Sequence, residues 1–298
     1  MARRCEWTGT FVVMVTPFHA DGSLDEAGAR TLAETLIAEG ADGLVVAGST
    51  GEWFTMTTAE KALLFKAVAA GAAGRVPVLA GVSALSTADS LALLDAAREA
   101  GHAGALVLPP PYVLPSQREV DAYFGALDAQ GLPLMIYNNP SRTGVNLNAA
   151  AMSRLARFER IVAMKDSVKD IAQTAETIRA VGDTISVFTG LENYAIASAQ
   201  RGAVGVVAMA PNVMGRHAMP LYGHAASGAI AEAAAIQAKI DLLYQRMYGA
   251  GDNPYAVLKA CMARLGRPSG PPRAPVLPVE DMAGIDALLA TLGLGTAG

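Results

Sequence analysis

Residues 76–108 read VPVLAGVSALSTADSLALLDAAREAGHAGALVL, and the order of patterns in this stretch decides the fold. Val76–Val82 is a short apolar run, Thr87–Ala100 is amphipathic, and Gly104–Leu108 (GALVL) is apolar again. Continuous apolar runs of this kind suit parallel strands buried on both faces, and the stretch between them reads as a helix. Thr87 stands at its start as a cap and Gly101 closes it, the residue types that helix ends require.

The same alternation extends in both directions. Upstream, Thr10–Val15 precedes a helix over Asp25–Glu39, where Leu32 and Leu36 with Ala33 and Ile37 give the helical spacing, and Gly43–Ala47 precedes Thr58–Ala73. Downstream, Ser116–Gln130, Ala149–Phe158, Asp170–Val181 and Asn193–Arg201 read as helices. They are separated by the apolar runs Pro133–Tyr137, Ile161–Met164, Ser186–Thr189 and Val204–Ala208, with a last helix from about Met214. Eight strand–helix units in about 230 residues match a closed barrel, which typically takes ~250 residues. An open doubly wound sheet would want a glycine-rich turn after its first strand, and Thr16-Pro17-Phe18 is no such turn. The expected fold is therefore α/β, a (β/α)8 TIM barrel over residues 1–227 carrying the active site. Residues 228–298 are expected to form a C-terminal helical appendage, with helices at Ala229–Gly249, Pro254–Leu265 and Val279–Leu292 and a proline-rich strap at Arg267–Pro278.

Composition narrows the function. The chain has 298 residues, 52% of them hydrophobic and 17% charged, with 23 basic against 27 acidic side chains, so it carries no electrostatic footprint for nucleic acid. No apolar run reaches the ~18–20 residues that span a bilayer, and Phe11–Val15, after Arg3 and Arg4, is too short for a secretion signal. Cys5 and Cys261 stand too far apart for a disulfide framework or thiolate metal site, and His19, His102, His217 and His224 show no metal-ligand spacing. A cytoplasmic enzyme without metal is the expectation.

In such a barrel the chemistry sits at the C-terminal ends of the strands. There stand Gly48-Ser49-Thr50-Gly51-Glu52, Tyr112, Tyr137-Asn138-Asn139-Pro140, Arg142, Lys165-Asp166-Ser167 and Gly190-Leu191-Glu192. Desolvating an ammonium is costly, so a lysine aimed into a barrel mouth is informative; its amine is a nucleophile for carbonyl carbon. The alternative is that Lys165 reaches solvent and pairs with Asp166. Glycines around Ser49-Thr50 let successive N–H groups face one point, a nest for a carboxylate, or else form an ordinary turn. Tyr137 and Tyr112 are phenols suited to proton transfer when oriented, and Arg142 is suited to clamping a carboxylate.

Taken in order and spacing, Gly48-Ser49-Thr50-Gly51-Glu52, Tyr112 with Pro115-Ser116, Tyr137-Asn138-Asn139-Pro140 and Lys165-Asp166-Ser167 resemble the dihydrodipicolinate synthase/N-acetylneuraminate lyase family of Schiff-base aldolases. The resemblance implies that Lys165 forms an imine with a 2-oxo acid such as pyruvate. It further implies that Ser49 and Thr50 hold the substrate carboxylate and that Tyr137, Thr50 and Tyr112 relay protons. Arg142, Gly190, Glu192 and Val207 complete the substrate site. No cofactor is implied. The implied partners are a small 2-oxo acid and an aldehyde, together with further copies of the chain. The assembly would be a tetramer built from dimers, or a dimer, with Tyr112 crossing between subunits.

The resemblance leaves the second substrate open. Pro140-Ser141-Arg142-Thr143-Gly144 matches the synthase branch, which condenses pyruvate with aspartate semialdehyde. Asn139, Trp53-Phe54, Pro111 and Leu191-Glu192 depart from it, and Glu192 favours a lyase or dehydratase acting on a 4-hydroxy-2-oxo acid or a 2-keto-3-deoxy sugar acid. A catalytically silent ligand-binding barrel is the third reading. Where many synthases bind lysine, this chain offers Trp53, Phe54, Leu85 and Pro111, poor partners for a zwitterion, so lysine is not expected to inhibit.

Overall fold

The computed structural model of the protein describes residues 5–249 and 251–295. Arg3, Arg4 and the last three residues of the C-terminal appendage lie outside the described residues. Eight parallel strands close into a TIM barrel in sequence order: β1 (Gly9–Val13), β2 (Gly43–Val46), β3 (Val78–Gly81), β4 (Gly104–Val107), β5 (Leu134–Asn138), β6 (Ile161–Asp166), β7 (Ser186–Thr189) and β8 (Gly205–Ala208). Pairing of Phe11 with Val207 and of Gly9 with Gly205 joins the first strand to the last and completes the ring.

The first half of the outer layer is α1 (Glu26–Ala38), α2 (Thr58–Ala72), α3 (Thr87–Glu99) and α4 (Gln117–Asp128). After β5 come a single turn, α5 (Pro140–Thr143), and α6 (Ala149–Leu155); α7 (Ile171–Val181) and α8 (Ala195–Ala199) follow the next two strands. The helix expected from Met214 is broken into α9 (Pro211–Met214), a 3-10 turn at Gly215–His217 and α10 (Leu221–Ser227). Gly215 takes a positive φ of 52° there, which interrupts the helix. Side-chain caps set most starts: Asp25 accepts from the Gly28 N–H, and Thr57 with Glu60 forms a reciprocal capping box.

The barrel interior is packed, not hollow. Phe11, Val13, Val45, Leu79, Leu106, Met135, Ala163, Phe188 and Val207 fill it, with Phe11 and Phe188 edge to face at 5.3 Å. Gly43 and Gly205 lie under the Phe11 and Phe188 rings, where a Cβ would collide with the aromatic carbons. A second and larger apolar layer lies between strands and helices.

The chain ends in α11 (Ile230–Gly249), α12 (Pro254–Arg264) and α13 (Met282–Leu292), with the strap between the last two. These helices pack on the barrel, and Arg267 makes a two-pronged pair with Glu39 at 2.8 and 2.6 Å. Among the described residues no helix is long and apolar enough to cross a membrane.

Candidate active site

Lys165 lies inside strand β6, one residue before its end, not after a strand closing at Met164. Successive side chains on a strand face opposite ways. Lys165 therefore points into the barrel with Ala163, while Asp166 points outward, where its carboxylate accepts from Thr174 Oγ1 at 2.7 Å and Asn138 Nδ2 at 3.0 Å. The alternation is what prevents a Lys165–Asp166 pair. Burial raises the Asp166 pKa above the ordinary carboxyl range, against those hydrogen bonds.

The Lys165 side chain is 5% exposed, with Nζ 4.1 Å from the centre of the Tyr137 ring, its register partner on β5. Just past the neighbouring strand β7, Gly190 gives it room: a Cβ there would lie 2.6 Å from Lys165 Cε and would run into Ser167 Oγ. The Tyr137 hydroxyl accepts from Asn139 Nδ2 at 2.9 Å and from Ser167 Oγ at 3.5 Å. Burial alone would raise the phenol pKa. The Lys165 charge and the hydrogen bonds from Ser167, Asn139 and Lys165 outweigh it and hold the phenol below its usual range. Asn139, an apparent departure at the sequence level, is thus a direct partner of the Tyr137 hydroxyl, itself steadied by Ser141 Oγ at 2.8 Å.

After β2 the chain turns sharply through Gly48–Glu52. The N–H groups of Gly51 and Glu52 are taken by the carbonyls of Gly48 and Ser49 at 3.0 and 3.1 Å. Those of Ser49 and Thr50 have no acceptor among the described residues, so the turn presents two free donors, the makings of an anion nest. Thr16 Oγ1 fixes the turn from below through the Gly51 carbonyl at 2.6 Å.

Ser49, Thr50, Tyr137, Arg142, Lys165, Gly190 and Val207 all line one cavity of about 940 Å³ at the C-terminal end of the barrel. Two residues expected at the site are placed otherwise. Glu192 is a correction: it is buried under the cavity, not in its wall. Its carboxylate accepts from the Met209 N–H at 2.9 Å, the Ala210 N–H at 3.1 Å and the Tyr244 hydroxyl at 2.9 Å, all groups of its own chain. A 3-10 turn over Glu192–Tyr194 tucks the side chain inward. Burial raises its pKa against those donors, and burial with the Glu192 charge holds the Tyr244 phenol protonated well above its usual range. Tyr112 is 90% exposed, at a positive φ of 75°, and lies outside its own chain's cavity.

The sequence reading missed one wall. Asp241, Tyr244, Gln245 and Tyr248 of α11 and Tyr255 of α12 also line the cavity. The signal was the spacing i, i+3, i+4, i+7 in α11, which puts four polar or phenolic residues on one face of a helix beyond the eighth barrel unit. Among the described residues no three His, Cys, Asp or Glu side chains come together in a way that suits a metal ion.

Comparison with known proteins agrees with the barrel fold. Residues 6–288 match the model of the dihydrodipicolinate synthetase family. An "Uncharacterized DapA-like lyase" from Rhizobium meliloti is 42% identical over 281 residues, 94% of each chain. A 4-hydroxy-tetrahydrodipicolinate synthase from Moorella thermoacetica is 36% identical over 292 residues, 97% of this chain and 99% of that one. Among solved structures, dihydrodipicolinate synthase from Aquifex aeolicus superposes with a TM-score of 0.92 at 30% identity, covering 98% of this chain and all of that one. YagE, a prophage protein of the dihydrodipicolinic acid synthase family from E. coli K12 solved in complex with pyruvate, gives 0.91 at 29% identity, covering 97% and 100%.

Proposed function

The chain belongs to the dihydrodipicolinate synthetase family, and from that premise we propose that it is a class I, Schiff-base lyase using pyruvate, most like 4-hydroxy-tetrahydrodipicolinate synthase. The observation that carries the proposal is the buried Lys165 amine against the Tyr137 ring on the floor of an open cavity.

In this reading the Ser49 and Thr50 N–H groups bind the carboxylate of the 2-oxo acid. The Lys165 amine, having given up its proton, attacks the keto carbon. The resulting carbinolamine loses its hydroxyl as water, and the proton for that departure comes from the Tyr137 phenol. Asn139 and Ser167, which donate to the phenol oxygen, stabilise the phenolate that this step leaves behind. The imine draws electrons from C3, the Tyr137 phenolate takes a proton from that carbon, and the enamine adds to the carbonyl of the second substrate, whose oxygen receives that proton. Water then hydrolyses the imine, freeing product and amine. Arg142, at the cavity rim on α5, has no ion-pair partner among the described residues and is suited to the carboxylate of aspartate semialdehyde.

The wall formed by Asp241 and Gln245 favours a second reading, in which the same imine chemistry cleaves a longer, hydroxylated 2-oxo acid. At about 940 Å³ the cavity sits near the top of the ~300–1,000 Å³ range of small-molecule sites. The two readings separate in one assay. Consumption of pyruvate only when aspartate semialdehyde is added supports the synthase, whereas release of pyruvate from 4-hydroxy-2-oxo acids supports the lyase. Neither activity beyond that of Lys165→Ala would overturn both.

The proposal includes an oligomer. Phe54, Leu85, Tyr112, Val113 and Leu114 expose apolar surface on the loops after β2, β3 and β4, a patch that suits a second copy of the chain and would bring Tyr112 to its neighbour's site. A cytoplasmic setting goes with it, in keeping with the two free thiols Cys5 and Cys261.

A further inference from the structure

The turn Gly48–Glu52 ends in a carboxylate that the chemistry above does not use. Glu52 is 0% exposed and holds a left-handed backbone, φ 55°, uncommon for a residue with a side chain. Ala47, before the turn, is left-handed as well, at 52°. Conformations of this sort persist where the surroundings over-determine them.

The surroundings of Glu52 come from the far end of the chain. Lys259 of α12, itself 1% exposed, places Nζ 2.6 Å from Glu52 Oε1, and the Arg273 N–H donates to Oε2 at 2.9 Å. Lys259 Nζ also donates to the Pro271 carbonyl at 3.1 Å and sits 4.3 Å from the centre of the Phe18 ring. The Arg273 guanidinium bonds the carbonyls of Gly22 and Thr55 and pairs with Glu60 at 2.9 Å, so the strap that carries it is itself fixed. One turn before Lys259, Tyr255 lines the same cavity as Ser49, its phenol next to that side chain. Residues four apart share a helix face. One face of α12 thus meets the turn at both ends, Ser49 and Glu52, with the two free N–H groups at Ser49 and Thr50.

We propose that α12 is a positioning element for the carboxylate nest, with Lys259 acting through Glu52 and Tyr255 through Ser49 to aim the N–H groups. This rests on the reading that the nest takes the carboxylate of the 2-oxo acid. Lys259 is outside the cavity lining and does not touch substrate. Its effect falls on pyruvate binding, leaving the amine of Lys165 and its phenol partner in place.

The test is the pyruvate concentration that half-saturates borohydride trapping, measured beside the maximal trapping rate and the melting temperature. Lys259→Met is expected to raise that concentration about tenfold, with the maximal rate within about twofold, as misaimed donors weaken binding but not the chemical step. Adding Glu52→Gln removes the unpaired buried charge. The double variant regains melting temperature yet keeps the weakened pyruvate dependence, and it carries the test if Lys259→Met alone does not fold. Tyr255→Phe moves the half-saturating concentration in the same direction by about threefold. Wild-type half-saturation in the double variant or in Tyr255→Phe, with trapping intact, would overturn the proposal and leave the imine chemistry standing. No trapping in the wild type would instead overturn the reading beneath it.

Discussion

A missing Cβ at Gly190 decides whether Lys165 has a usable conformation. Added there, a methyl group meets both Ser167 Oγ and Lys165 Cε, the latter at 2.6 Å, so these two side chains would have to shift. Gly190→Ala should therefore push the amine off the Tyr137 ring while the barrel stays folded. The expected result is a fall of at least about tenfold in pyruvate trapping with little change in unfolding midpoint, read by mass and by urea titration. Lys165 and Tyr137 were legible in the sequence because a strand fixes where its end residues point. Glu192 was not, since one 3-10 turn after β7 reverses the side chain from cavity to core. Asn139 looked like a departure in the sequence, and only the geometry gives it the Tyr137 hydroxyl as partner.

Helices and loops carry two further expectations. His102, after α3, is buried edge-on to Phe65 at 5.4 Å, and burial lowers its pKa from 6.5 to about 4. The unfolded chain thus binds this proton first, so the stabilisation is complete above pH ~6.5 and is lost as the pH falls towards 4. By pH 5 His102 should account for about 2 kcal/mol of lost stability. Comparing His102→Met with the wild type in urea at pH 7 and pH 5 checks this: the variant should lose less on acidification, and equal losses would contradict it. Beside the loop after β2, Lys61 of α2 is buried with Nζ 4.9 Å from the Trp53 ring and bonded to the Ser83 carbonyl at 3.3 Å. Burial lowers the Lys61 pKa to about 8, so this amine adds no fixed charge to the poor lining there, and millimolar lysine should leave the initial rate unchanged. The barrel elements themselves were readable from alternating patterns. The break at Gly215 was not, because a positive φ leaves no mark in hydrophobic spacing.

At the scale of the whole molecule, the site is not a property of the barrel alone. The C-terminal helices close one wall with Tyr244, Tyr248 and Tyr255 and reach under the nest through Lys259. Those residues read as an appendage in sequence because their contacts span the length of the chain, and no local pattern reports such a contact. The exposed Tyr112 extends the same point beyond one chain. If it serves a neighbour's site, Tyr112→Phe should lower turnover at least about tenfold while the mass in solution stays oligomeric. Unchanged turnover would remove Tyr112 from the proton relay. The central claim, an imine on Lys165, is tested most directly by intact-protein mass after incubation with pyruvate and borohydride. The account predicts one adduct of reduced pyruvate per chain, mapping to Lys165 and absent from Lys165→Ala. An adduct that survives in Lys165→Ala, or no adduct in the wild type, would contradict it.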